Sequence, residues 1–292
     1  MCIRDSLHHR RGGVVDDLVV RRSAPLQLSL IHIFAVLFFL FAPIATIVLF
    51  GFDKSNIETW PIQHWTLSWY AVAWHDPQVR SAFVLSIKAA VVATALALIL
   101  GTLAAFGVHK ARFFGRDSIS LLLILPLALP GIITGVALHS AFQWAGISLS
   151  IWTIIIGHTT FCIVVIYNNV IARLRRTSNT LLEASADLGA STVQTFRLVT
   201  LPTIATALVS GALLAFALSF DEVIVTTFTA GAQNTLPIWI LGAIRLGQQL
   251  PEVNVVVTMV VVLMFIPILI AARLTGTENV TGRVATLSLI HI

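Results

Sequence analysis

Six long apolar runs constrain this chain more than any other feature. They cover approximately residues 34–52, 82–108, 119–142, 147–171, 204–228 and 253–272. A helix needs about 20 mostly apolar residues to cross a bilayer, and each run is of that order. Within them acids are almost absent, Asp221 and Glu222 apart. The chain as a whole is 57% hydrophobic and 11% charged, against about 25% charged for a soluble domain. So much apolar surface cannot be hidden from water in a chain of 292 residues. The expectation is an all-α membrane protein of six transmembrane helices, with the lipid bilayer as its solvent.

The connections differ in kind. Residues 53–80 are long and hold Trp60, Trp65, Trp69 and Trp74, a composition suited to a membrane–water interface. Residues 109–117 are short and basic, 143–146 form a tight uncharged hairpin, and 172–203 are polar. If the polar stretch is cytoplasmic, the inner loops hold nine cations: Lys110, Arg112, Arg116, Arg173, Arg175, Arg176, Arg197, Arg273 and Arg283. The outer loops then hold three, namely Lys54, Arg80 and Arg245. Positive charge favours the inside, so both ends are expected in the cytoplasm.

The two ends of the sequence are unusual. LSLIHI occurs at 28–33 and again at 287–292, and the chain opens with MCIRDS. The codons of MCIRDS, read as their reverse complement, encode LSLIH and a following Ile or Met. These stretches resemble the translated transposon end used as a sequencing-library adapter. Residues 1–33 and 287–292 are therefore expected to be adapter or chimeric sequence, and 34–286 the transmembrane domain proper. Such scars are set aside in fold reasoning. Only Cys2 and Cys162 are present, too few for a disulfide framework or a clustered cysteine metal site.

The second run carries small residues, with Gly101, Ala104, Ala105 and Gly107 close together, a composition that permits close helix packing. The third run contains Pro126, Pro130, Gly131 and Gly135. Proline removes a helix hydrogen bond and kinks the helix. Two readings stand side by side: a bend lining a path, with Pro126 and Pro130 at it, or ordinary packing of a membrane helix. His139 and His158 lie in apolar runs without local metal-ligand spacing and are expected to pack between helices.

The polar stretch carries the most specific information. Thr180 and Glu183 have capping-box spacing, and a helix is expected over 181–188. Gly189 supplies the left-handed residue that ends such a helix. Ser191 and Gln194 repeat the capping-box spacing and open a second helix through Phe196 and Leu198. Pro202 closes that helix or marks the start of the fifth span. The first of these helices is too short to be stable alone, so it needs a partner surface.

Glu183, Ala184, Ser185, Ala186, Asp187, Leu188, Gly189 and Ala190, followed by Phe196 and by Leu201 and Pro202, resemble the EAA loop (180–202) of ABC importer permeases of the type I, MetI-like fold. The likeness extends over all six runs. It implies that Glu183, Ala184, Asp187, Leu188, Gly189, Ala190, Phe196 and Pro202 form the loop that couples to a cytoplasmic ATPase dimer. Ser185 departs from the usual alanine. The partners implied are that ATPase, a second homologous permease subunit and a periplasmic solute-binding protein, in a bacterial inner membrane. No nucleic acid is implied. The chain has no GxxxxGK[ST] phosphate loop, so it binds no cofactor by that route. ATP and magnesium belong to the partner ATPase on this reading.

Residues 219–240 and the PEVN at 251–254 resemble spermidine/putrescine permeases. Asp221 and Glu222 lie about 30 Å beyond Pro202 if the helix is continuous at 1.5 Å per residue, near the outer end of the fifth span. Acids at membrane depth are costly and usually functional. They are expected to face the translocation path or to contact the binding protein. An importer of ferric iron, a phosphonate or an opine-like compound is the alternative within the class. A secondary transporter would instead need ion-coupling acids at the bilayer midplane. No nucleophile–base pair points to an enzyme.

Overall fold

The computed structural model describes residues 31–110, 116–247 and 250–266, with the single positions 269 and 273. The expected adapter stretches fall outside this range, except that residues 31–33 form the first turn of a helix. Arg112 and Arg283 also fall outside it.

The described residues are helical, with one isolated β-bridge between Asp53 and Trp65. Helix α1 covers Ile31–Phe50. A loop closed by Lys54 N–H to His64 O and Thr66 N–H to Phe52 O leads to α2 (Ser68–His75), α3 (Pro77–Lys110), α4 (Arg116–Ala128), α5 (Gly131–Trp144) and α6 (Ile151–Arg176). Two short helices follow, α7 (Asn179–Asp187) and α8 (Thr192–Thr195). A π-turn at Phe196–Thr200 then joins α8 to α9 (Leu201–Phe220). Then come α10 (Ile224–Thr229), α11 (Leu236–Leu246) and α12 (Leu250–Ile266).

Helices α3, α6 and α9 pack against one another and form the core. Their closeness is written in small residues. Ala90, Ala93, Ala97, Gly101, Ala105 and Val108 repeat at helical spacing on α3 and are all buried. A Cβ on Gly101 would lie 2.9 Å from the Ile163 carbonyl oxygen of α6. Membrane helices gain little from hydrophobic burial against each other, so close backbone approach through small residues is what holds them. Gly107, grouped with this face on sequence grounds, is not part of it, since a Cβ there would meet nothing within 4 Å.

Among the described residues four helices are long and apolar enough to cross a membrane: Ile31–Phe50, Pro77–Lys110, Ile151–Arg176 and Thr192–Phe220. The third and sixth expected spans are not among them, and the described part of the sixth is the shorter apolar helix Leu250–Ile266. The third run is split into α4 and α5 at Pro130, whose φ of −55° and ψ of 132° leave the helix. Proline disfavours the helical conformation in the residue before it, which places the break at Leu129–Pro130. Pro126, by contrast, stays inside α4. The fifth run starts earlier than expected and stops sooner. Its continuous helix is 29 residues long, about 43 Å at 1.5 Å per residue, and it ends at Phe220 instead of residue 228.

Candidate functional site

Two regions interrupt the apolar bundle, one at each end of the long helix that contains α9.

The first is the turn between α6 and α9. Ser178, not Thr180, is the N-cap of α7, and its side chain accepts from Thr180 N–H. The expected box between Thr180 and Glu183 is therefore displaced by an equally good cap two residues earlier, and Ser178 Oγ is 2.7 Å from Thr180 Oγ1. The end of α7 follows the sequence. Gly189 has φ +77°. Gly189 N–H donates to Ala186 O and Ala190 N–H to Ser185 O, at 2.9 and 3.1 Å. This pair of bonds is the Schellman arrangement. Ser191 and Gln194 form the expected capping box at the start of α8.

Ser185 is buried, and its hydroxyl lies 2.8 Å from that of Thr195. The residue that departs from the alanine pattern thus ties α7 to α8. Glu183, Ala184 and Asp187 are exposed and Ala190 is half-buried. Leu188 is 88% exposed, an apolar side chain with no cover from its own chain. Phe196 stacks edge-on against Phe106 of α3 with ring centroids 5.7 Å apart. Arg173 Nε donates to Thr203 O at 2.9 Å, fastening α6 to α9.

Pro202 does not close a helix; it lies in the first turn of α9, the second of the two expected placements. It sits near the N-terminus of α9 within a continuous helical path. Lacking an N–H, it cannot serve the carbonyl four residues back. The backbone adapts by widening, and Leu201 N–H donates to Phe196 O, five residues back. Beneath this segment α3, α9 and the short helices enclose a mainly apolar cleft of about 990 Å³, lined by Leu103, Phe106, Leu182, Phe196 and Leu208 among others.

The second region is the break between α9 and α10. Asp221 is the C-cap of α9 and is exposed. Glu222 is half-buried, and its Oε1 accepts from Val225 N–H at 2.9 Å. One acid of the pair is thus engaged in capping α10, while the other stays open.

Helix α10 is pinned on two sides by polar side chains. His139 Nδ1 is 2.8 Å from Phe228 O, and His139 Nε2 is 2.9 Å from Gln143 Nε2. A carbonyl only accepts, so Nδ1 carries the proton and Nε2 accepts from the amide. Thr153 Oγ1 lies 2.7 Å from both Thr229 O and Ser150 O, which share its one proton. His158 contacts Ser219 Oγ and Thr226 Oγ1, each at 2.8 Å. The glycines of the neighbouring helices make room. A Cβ on Gly135 would fall 2.6 Å from the Phe228 ring, and one on Gly157 would fall 3.2 Å from Thr229 and Val225 side-chain atoms. Gly135 thus serves packing, and Gly131 faces Ile224 at ordinary contact distance. Pro130 is exposed at the α4–α5 break and Pro126 is half-buried.

Sequence reasoning gave no role to Glu252, which is fully buried at the start of α12. Among the described residues no N–H or O–H donor reaches either carboxylate oxygen, and the carboxyl group of Asp76 lies beside it within hydrogen-bonding reach. Nearby, Asn254 Nδ2 donates to Glu58 Oε1 at 2.6 Å. The signal was an acid next to Pro251 at the mouth of an apolar run, which marks a helix start but not its burial.

Long apolar helices pack around a small-residue core, with a capped helix–turn–helix bearing bare apolar side chains at one end and an acid-bearing break at the other. Comparison with known proteins places the chain further. Residues 97–276 match the family described as "Binding-protein-dependent transport system inner membrane component". The chain is 33% identical over 248 residues to the spermidine/putrescine transport system permease protein PotC of Haemophilus influenzae, covering 84% of this chain and 95% of that one. It is 35% identical over 232 residues to the putrescine transport system permease protein PotI of Escherichia coli, covering 76% and 81%. Among solved structures, a bacterial ABC transporter that imports alginate superposes with TM-score 0.62 at 18% identity, covering 93% of this chain and 98% of that one. An inward-facing methionine ABC transporter, MetNI, gives TM-score 0.59 at 18% identity, covering 71% and 97%. This chain belongs to the family of binding-protein-dependent transport system inner membrane components. Its relatives are transport permeases, not enzymes.

Proposed function

We propose that this chain is a permease subunit of an ATP-driven importer for polyamines of the spermidine and putrescine type. The observation that carries the reading is the identity of 33–35% to polyamine permeases, extending over 81–95% of their length. On this reading the chain spans a bacterial inner membrane six times with both ends in the cytoplasm. It works beside a second homologous permease, a cytoplasmic ATPase dimer that holds ATP and magnesium, and a periplasmic binding protein that delivers the substrate.

The segment Glu183–Ala190, with Phe196 and Pro202, is the coupling element. Its support is physical. A nine-residue α7 is below the length of a self-sufficient helix, and Leu188 and Leu181 leave it bare. A groove on the ATPase would cover them. Closure of that groove would pull on α6 through Arg173 and on α3 through Phe196. At the other end Asp221, free of the capping duty that Glu222 performs, faces the path and attracts the polycation, while Pro130 and Pro126 bend the wall opposite.

The experiment is reconstitution of the chain with its ATPase, sister permease and binding protein in proteoliposomes, followed by uptake of labelled putrescine and spermidine. ATP-dependent uptake of both, lost in Glu183→Arg with ATPase and permease still assembled, is the expected result. Uptake that ignores ATP would sink the importer reading. ATP-dependent uptake of an iron chelate or a phosphonate, with polyamines inert, would leave the class and remove the substrate.

A further inference from the structure

His158 is 1% exposed, in the middle of a membrane helix, and uses both ring nitrogens. The hydrogen bonding around it runs in one direction only. Thr226 Oγ1 lies 2.6 Å from the carbonyl oxygen of Glu222. A carbonyl cannot donate, so the single Thr226 proton goes there. Thr226 must then accept from His158 Nε2–H. In a neutral imidazole with Nε2 protonated, Nδ1 is an acceptor, and Ser219 Oγ–H donates to it. The relay therefore reads Ser219 to His158 to Thr226 to the Glu222 carbonyl. It starts in the last turn of α9, crosses to α6 and returns to α10. Its two ends, the Ser219 hydroxyl and the Glu222 carbonyl, lie on either side of Asp221 in the chain, and Ser219 and Thr226 are themselves buried.

We propose that His158 is a positioning residue for import: through this relay it fixes the α9–α10 break and so the direction in which Asp221 meets a cationic substrate. The proposal rests on the reading that Asp221 faces the path. A break in a helix leaves carbonyls unserved, and in a membrane they need a partner inside the protein. His158 supplies one link of that service from a helix of the rigid core. An apolar residue of similar volume would fill the space and leave two buried hydroxyls without it. Phe161, whose ring lies 5.7 Å from the imidazole, packs against it but adds no second polar route.

The test uses the complete transporter in proteoliposomes and two substitutions. His158→Leu keeps volume and removes both polar links. His158→Gln keeps one donor and one acceptor on a planar amide. The first readout is polyamine imported per ATP hydrolysed. It is expected to fall about tenfold in His158→Leu, the size of effect of leaving buried polar groups unpaired, and to stay within about threefold of the parent in His158→Gln. The second readout is the labelling rate of Asp221→Cys by a cationic, membrane-impermeant thiol reagent, in a background without Cys2 and Cys162. That rate is expected to change several-fold with His158→Leu and to return with His158→Gln. If His158→Leu moves neither readout, or Gln behaves as Leu does, His158 only packs and the inference is overturned. Should His158→Leu fail to reach the membrane, Thr226→Val cuts the relay at its last link and is read the same way. Asp221→Asn separates the two ideas. Normal import per ATP in that variant, with labelling still governed by His158, ends the path role of Asp221 and keeps the positioning role. Lost import in Asp221→Asn with His158→Leu silent does the reverse.

Discussion

Two glycines of α3 look alike in sequence and behave differently at the scale of single atoms. Gly101 sits where a methyl group would come within 2.9 Å of a backbone oxygen of α6, and Gly107 faces open space. Backbone cannot swing aside as a side-chain tip can, so Gly101→Val is expected to cost about 1–3 kcal/mol by overpacking. Gly107→Ala should instead be neutral or stabilise by up to about 1 kcal/mol, the helix-propensity difference. Thermal unfolding of the two variants in the same detergent measures both, and equal midpoints would show that α3 and α6 are not held this closely. At Gly135 the obstacle is the Phe228 ring, 2.6 Å from a Cβ built there, a side chain that would have to shift where backbone could not. These distances were not legible in the sequence. It marks glycine as permissive but does not say which neighbour needs the room, because that depends on helices far away in the chain.

The short helices α7 and α8 are where element-scale reasoning succeeded most. Ser191, Gln194 and Gly189 do what their positions announce, since capping and the left-handed turn involve only residues a few places apart. The Thr180 cap failed for a local reason as well: Ser178 offers a competing oxygen two residues earlier. Gly189→Val tests the turn. At φ +77° a β-branched residue costs about 1–2 kcal/mol and the Schellman bonds loosen with it. Expected is a several-fold loss of ATP hydrolysis stimulated by loaded binding protein, with unchanged helix content by circular dichroism. Full stimulation in Gly189→Val would mean that the angle between α7 and α8 does not matter for coupling. The π-turn before Pro202 belongs to the same scale. Proline predicts a missing bond, but whether the helix breaks, kinks or widens depends on what holds its two sides, here Phe106 against Phe196 and Arg173 against Thr203.

At the scale of the whole molecule the outer surface is unfinished. Helix α1 buries none of its apolar stretch, and Phe38 and Phe39 are 77% and 83% exposed. Lipid covers such a surface in the bilayer. The excess of Lys and Arg in one set of loops gives a direct test of orientation. A lone cysteine replacing Val193, which is 73% exposed, is expected to resist an impermeant thiol reagent in intact cells and to react after lysis. One replacing Ser55, exposed in the loop after α1, is expected to react in both. Labelling of the 193 cysteine from outside would invert the topology.

The sequence by itself determined the solvent of this protein, the existence of the long helices and the family, because mean hydropathy, run length and local motifs are properties of neighbouring residues. The helix–turn–helix at 178–195 was legible for the same reason. Only the tertiary structure decided that the third run is two helices, that the fifth stops at Phe220, and that Glu222 caps α10 while Asp221 stays open. It also decided which hydroxyls and carbonyls His139 and His158 meet where they pack between helices, as expected of them, and that Glu252 is buried. Each of these depends on partners distant in sequence, where a hydroxyl, a carbonyl or a glycine becomes meaningful only once another helix has been brought against it.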